Sequence, residues 1–81
     1  MFEKLKAILV DDLFLSAEDV LPTASRAEVG LDSLATVELR AALSSRLGIV
    51  VQDHELHEAA TVADIAHLMA LRLGLAQLEV P

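Results

Sequence analysis

Phe2, Leu5, Leu9 and Leu13 recur at steps of three and four residues, the spacing that lays apolar side chains along one face of an α-helix. Residues 2–15 are therefore expected to form a first amphipathic helix, with Glu3, Lys4, Lys6, Asp11 and Asp12 mostly turned to water. Ser16-Ala17-Glu18-Asp19 can open a short helical turn by side-chain capping, and Pro22 begins a long polar connection that runs to Glu28. A second helix is expected over 33–47, because no proline or glycine interrupts the chain before Gly48. Asp32 or Ser33 can accept from the unpaired N–H groups at its start, and Gly48 can close it in the left-handed conformation. Its apolar residues fall into two stripes. Leu39, Leu43 and Leu47 follow i, i+4, i+8, whereas Leu34, Val37 and Ala41 lie on nearly the opposite side at about 100° per residue. One stripe can face a core; the other is left for a partner.

Ile49-Val50-Val51 reads as a short apolar connection tucked against the core, and Asp53 to Glu58 as a short third helix anchored by Leu56. Thr61-Val62-Ala63-Asp64 has the form of a capping box with Asp in place of Glu. After it, Val62, Ile65, Ala66, Met69 and Leu73 trace a last amphipathic helix that is expected to end at Gly74, followed by a frayed tail over 75–81. The pattern predicts an all-α fold: a small antiparallel bundle of three main helices plus one short helix, in a single domain over 1–81 with its core within about 2–74.

Composition narrows what such a bundle can do. Hydrophobic residues make up 54% of the 81, yet Trp and Tyr are absent and Phe occurs twice, so the core must be built from Leu, Val, Ile and Ala. A chain of this size buries only about 60–65% of the surface its unfolded form exposes, which leaves little room for a deep enclosed active site. No apolar run approaches the roughly 20 residues of a membrane span, and the N-terminal segment lacks the apolar centre of a signal peptide. The reading is a soluble, cytoplasmic monomer. Without cysteine there is no disulfide, no zinc-thiolate site and no polypeptide thiol for a thioester. A net charge of −7 with six basic residues argues against nucleic acid and for a basic protein partner.

The candidate chemistry centres on Gly30-Leu31-Asp32-Ser33-Leu34 at the loop-to-helix junction. A catalytic serine needs a base and oxyanion donors, and the hydrolase elbow places glycines on both sides of the nucleophile. Here Leu31 and Ala35 stand in those places, and nothing in the spacing of His54, His57 or His67 recommends a base. His54, His57 and Glu58 share a helix face by their spacing, but one short exposed helix offers them no supporting shell, so no metal site is assigned. Asp32 and Ser33 alone would be a simple helix cap in an unmodified interaction module. A serine so placed is better suited to being modified than to attacking.

Taken together, Gly30-Leu31-Asp32-Ser33-Leu34, Thr36-Val37-Glu38-Leu39 and Thr61-Val62-Ala63-Asp64 resemble the acyl carrier protein family, and the resemblance runs from about Leu5 to Leu73. It implies that Ser33 receives 4′-phosphopantetheine from coenzyme A through a phosphopantetheinyl transferase, and that the arm's thiol carries acyl groups as thioesters. The protein would then be a carrier and no enzyme, which makes the missing cysteine intelligible. Asp32 would orient the loop for the modifying enzyme. Leu34, Val37, Glu38 and Ala41, extended by Glu55 and Glu58, would form the recognition surface for partners such as an acyltransferase or a ketosynthase. Thr36, Leu39, Leu43, Ile49, Leu56 and Ile65 would line the core or a small acyl pocket. An aminoacyl or peptidyl carrier on the same fold is the nearest alternative, for which a second glycine in place of Leu31 is the commoner motif. Val29, Ala35, the positive charge that Arg40 and Arg46 add to the second helix, and the histidines of the third helix depart from the family pattern. They point away from generic fatty-acid enzymes and toward polyketide or related specialised metabolism.

Overall fold

The computed structural model describes residues 1–78, with side chains through Gly74. Its elements are α1 (Phe2–Asp11), α2 (Arg26–Val29), α3 (Ser33–Leu47), α4 (Asp53–Glu58) and α5 (Val62–Leu78). Helix α1 packs on both α3 and α5, and α4 packs on α3. Leu5 and Leu9 of α1, Leu39 and Leu43 of α3, Leu56 of α4 and Ile65 and Met69 of α5 are all but fully buried and form the centre of one core. The expected bundle of three long helices and one short one is therefore present, with one additional turn of helix. Among the described residues no helix is long and apolar enough to cross a membrane.

Helix α1 ends at Asp11, four residues before the boundary expected from periodicity. Two physical causes act together. Acidic Asp11 and Asp12 sit at the negative end of the helix dipole with no basic residue in the last turn to offset them. The chain then unwinds: the Leu13 N–H donates to Ile8 O at 3.3 Å, Phe14 takes φ +59°, and the Leu15 N–H donates to Leu9 O at 3.0 Å. Leu13 and Leu15 still pack on the core after the helix has stopped, which is why the apolar spacing overshot. Asp12 is half-buried rather than solvated, because Arg46 of α3 donates to it at 2.5 Å.

Phe14 occupies a left-handed conformation that usually belongs to glycine, at a cost of roughly 1–2 kcal/mol for a residue with a Cβ. Phe14→Gly should therefore raise stability by about 0.5–1 kcal/mol after allowing for the greater freedom of glycine in the unfolded chain. The urea midpoint should rise with an unchanged slope. A lower midpoint would show that the ring itself stabilises the fold.

Residues 16–19 form a turn closed by Asp19 N–H to Ser16 O at 3.1 Å, not a helical segment. The connection after Pro22 is not wholly irregular, since Arg26–Val29 make the single turn α2. Ser25 and Glu28 close a full capping box around its start. This S-x-x-E signal was legible but lacks the long apolar run that normally follows it. Arg26 then reaches across to the end of α4, donating to Ala59 O at 3.0 Å and His57 O at 2.9 Å. Its Nη1 lies 3.1 Å from His57 Nδ1. The Val62 N–H to Ala24 O bond, at 2.9 Å, ties the same connection to the start of α5.

At the other end of the chain, Gly74 does not terminate α5, which continues to Leu78. A glycine inside a helix costs only about 1 kcal/mol relative to alanine, and the leucines, alanine and glutamine around it favour helix. Residues 79–81 of the expected frayed tail lie outside the described residues. Gly48 does close α3 in the left-handed conformation, at φ +66°, and Asp64 with Thr61 caps α5 as its sequence indicated.

Candidate functional site

The site is built where α2 hands the chain to α3. Gly30 takes φ +88° and ends α2, with its N–H directed to the carbonyls of Ala27 and Arg26. A Cβ there would meet Leu15 Cδ2 at 3.4 Å, so the turn is confined on one side as well as left-handed. Leu31 drops into the core and is buried, which anchors the turn and leaves the next two residues facing outward. Of the two residues that could have capped α3, the structure uses Asp32, whose Oδ1 accepts from the Ala35 N–H at 2.8 Å. The Asp32 carbonyl accepts from the Thr36 hydroxyl, also at 2.8 Å, so Thr36 is buried with its polar atom satisfied.

Ser33 is thereby spared the capping role. It is the first residue of α3 and exposed, and its hydroxyl makes no hydrogen bond among the described residues. Asp32 engages the Ala35 N–H, while the N–H groups of Ser33 and Leu34 precede any possible intrahelical acceptor. An anion attached to Ser33 would meet those donors and the positive end of a 15-residue helix. The residues present fit a phosphodiester on this hydroxyl.

Along α3 the two stripes separate as the spacing indicated. Leu39 and Leu43 are buried, whereas Leu34 is 68% and Val37 53% exposed, with Glu38 and Ala41 exposed beside them. Val50 adds to this surface at 63% exposure, and a shallow groove of about 310 Å³ runs between Val37, Ala41 and Val50. Sequence reading placed Val50 inside with its neighbours. In an extended segment, however, successive side chains alternate sides, so burying Ile49 and Val51 turns Val50 outward.

Both arginines of α3 are paired with carboxylates of the same molecule. Arg40 donates to Val51 O at 3.0 Å and to Asp53 at 2.9 Å, and Arg46 is paired with Asp12. Arg72 of α5 pairs with Glu55 and reaches Val50 O at 3.3 Å. Glu55 also accepts from the Gln52 N–H at 3.0 Å and is half-buried, so it does not join the outward acids. Glu38 and Glu58 remain exposed. All four arginines hydrogen-bond within the molecule, and Arg26, bonded to Ala59 O and His57 O, lines a shallow pocket with Gly30, Leu31 and Asp32 next to the serine. His54, His57 and His67 are exposed, and among the described residues no cluster of ligating side chains could hold a metal ion.

Two carboxylates are held below their ordinary pKa of 4.5: Glu28 first by the Ser25 N–H and then by its hydroxyl, and Glu55 first by the Gln52 N–H, with Arg72 assisting. A depressed folded pKa means that each contributes stability above the unfolded value, which is lost as pH falls through the folded one. The caps of α2 and α4 should accordingly loosen below pH 4.5, seen as faster amide exchange in 25–30 and 52–58 while the centres of α3 and α5 remain protected. Uniform loss of protection across all helices would contradict this assignment.

Comparison with known proteins agrees with the geometry. Residues 3–69 match the family described as "Phosphopantetheine attachment site". An acyl carrier protein of Thermosynechococcus vestitus is 42% identical over 66 residues, covering 80% of this chain and 82% of that protein. An acyl carrier protein of Petrotoga mobilis is 34% identical over 76 residues, covering 93% and 89% respectively. The chain belongs to the acyl carrier protein family of phosphopantetheine-bearing carriers. Its cofactor is covalent 4′-phosphopantetheine, it has no catalytic activity of its own, and it works with a phosphopantetheinyl transferase and acyl-processing enzymes.

Proposed function

We propose that Ser33 is the attachment residue, and that the protein shuttles acyl intermediates between enzymes of polyketide or related specialised metabolism. The observation that carries this reading is the division of labour at the head of α3. Asp32 does the capping, which leaves Ser33 exposed at the electropositive end of a long helix. When bound, the arm supplies a thiol on a long flexible reach, the function that a chain without cysteine lacks. Leu34, Val37 and Ala41, with Glu38 and Glu58 around them and Val50 added, form the surface on which partners dock. Their exposed apolar area supplies contact, and the acids favour enzymes with a basic face. Ala35 after the serine and the exposed histidines of α4 support partners other than those of generic fatty-acid synthesis.

Cargo class is tested after conversion with coenzyme A and a broad-specificity phosphopantetheinyl transferase. The new thiol is offered malonyl and other acyl groups by acyltransferases, and amino acids by adenylating enzymes. Thioester formation with acyl donors is expected. Loading by amino acids alone would replace the reading with an aminoacyl or peptidyl carrier.

A further inference from the structure

Helix α2 is a single turn, too short to hold its shape by its own hydrogen bonds, yet the turn that presents Ser33 is built on it. The Leu31 N–H donates to Arg26 O at 2.8 Å and the Gly30 N–H to Ala27 O at 3.2 Å, so α2 fixes the path of the chain into Asp32 and Ser33. The side chain of the same Arg26 grips the end of α4 through Ala59 O, His57 O and His57 Nδ1. One residue thus joins the serine turn to α4. A guanidinium carries donors and no acceptor, so the His57 Nδ1 that lies 3.1 Å from Arg26 Nη1 is the accepting atom and carries no proton. His57 is therefore a neutral imidazole with its hydrogen on Nε2. A proton added at Nδ1 would set donor against donor and one positive charge against another.

We propose that Arg26 is a positioning residue for the serine turn and that His57 makes its grip sensitive to protons: neutral His57 completes the clamp on α4, and protonated His57 opens it and loosens the turn that carries Ser33. The other charged groups around α4 are spent elsewhere or lie on α4 itself. Arg40 of α3 is bonded to Asp53 and Arg72 of α5 to Glu55, both toward the start of α4, and Glu28 of α2 is closed on Ser25. His54 and Glu58 share the helix with His57 and are exposed. Histidine exchanges its proton between about pH 5 and 8, above the range in which the capping carboxylates Glu28 and Glu55 do so. The clamp accordingly holds at the upper end of that interval and is lost as pH falls through it. The two carbonyl bonds share one rigid guanidinium with the imidazole, so repulsion at Nη1 weakens them as well. The consequence for modification rests on the reading of Ser33 as the attachment residue; the opening of the clamp does not.

Amide exchange at Leu31 and Ala59, taken as protection relative to the free-peptide rate at each pH, reads the clamp before any modification. Between about pH 7.5 and about pH 5.5, protection at the two amides should fall together by about two- to fivefold in the parent. His57→Gln keeps a neutral acceptor for the guanidinium and should show parental protection at the higher pH with no fall at the lower. Arg26→Ala should be poorly protected at both, and His54→Gln and His67→Gln should respond as the parent does. The parent and His57→Gln are then mixed in one reaction with coenzyme A and a phosphopantetheinyl transferase, where both meet the same enzyme at the same pH, and intact mass compares their conversion. Equal conversion is expected at the higher pH, with the parent trailing at the lower. Constant protection in the parent, an undiminished fall in His57→Gln, or equal conversion at both pH values would overturn the proposal. Failure of both proteins to accept an arm would overturn the assignment of Ser33 instead, and the exchange data would still decide the clamp.

Discussion

Ser33→Ala should abolish modification by coenzyme A and a phosphopantetheinyl transferase, with no residual slow reaction, because the proposed attachment needs the Ser33 hydroxyl as nucleophile and alanine has none. The fold should survive. Ser33 is exposed, makes no side-chain hydrogen bond among the described residues and leaves the capping of α3 to Asp32, so its stability should change by no more than about 0.5 kcal/mol. Circular dichroism and a urea midpoint equal to the parent's would separate lost chemistry from lost structure. Intact mass would read the chemistry directly. Continued mass gain by the alanine variant would place the arm elsewhere.

Leu43→Ala should have the largest effect on the fold. Leu43 is completely buried on α3, the helix that packs on both α1 and α4. Removing a buried leucine side chain costs about 2–5 kcal/mol through lost burial and the cavity left behind. Against a total of roughly 5–15 kcal/mol for a typical domain, that is enough to leave a substantial unfolded fraction near the growth temperature of a mesophile. The measurement is chemical denaturation with the Leu34→Ala variant as a control. Leu34 is 68% exposed, and its removal should cost less than about 0.5 kcal/mol. Equal losses at the two positions would mean that the stripes of α3 have been assigned to the wrong sides.

Much of this arrangement was legible in the sequence because the helices are amphipathic and punctuated by standard signals. The two stripes of α3, the Gly48 stop and the capping box before α5 all follow from local rules, whereas the cap of α3 was left between Asp32 and Ser33 until the structure showed Asp32 in that role. The boundaries that differed were set by tertiary context. Leu13 and Leu15 kept helical spacing because they reach the core from an irregular segment, and Gly74 lies within a helix that continues through it. Helix α2 is a single turn, too short to show periodicity, and is fixed by its cap and by Arg26 reaching α4. At the site, the exposed serine and apolar surface were readable. The pairing of Arg40, Arg46 and Glu55 was not, since these partners lie 13, 34 and 17 residues away.

Peptide mapping of the parent protein, after reaction with coenzyme A and a phosphopantetheinyl transferase, tests the central claim most directly. Fragment ions should place a single arm on the peptide containing Asp32-Ser33-Leu34, with Ser16, Ser25, Ser44 and Ser45 unmodified. An arm on any of those four serines, or a protein left unchanged under conditions that convert a known carrier, would contradict the account.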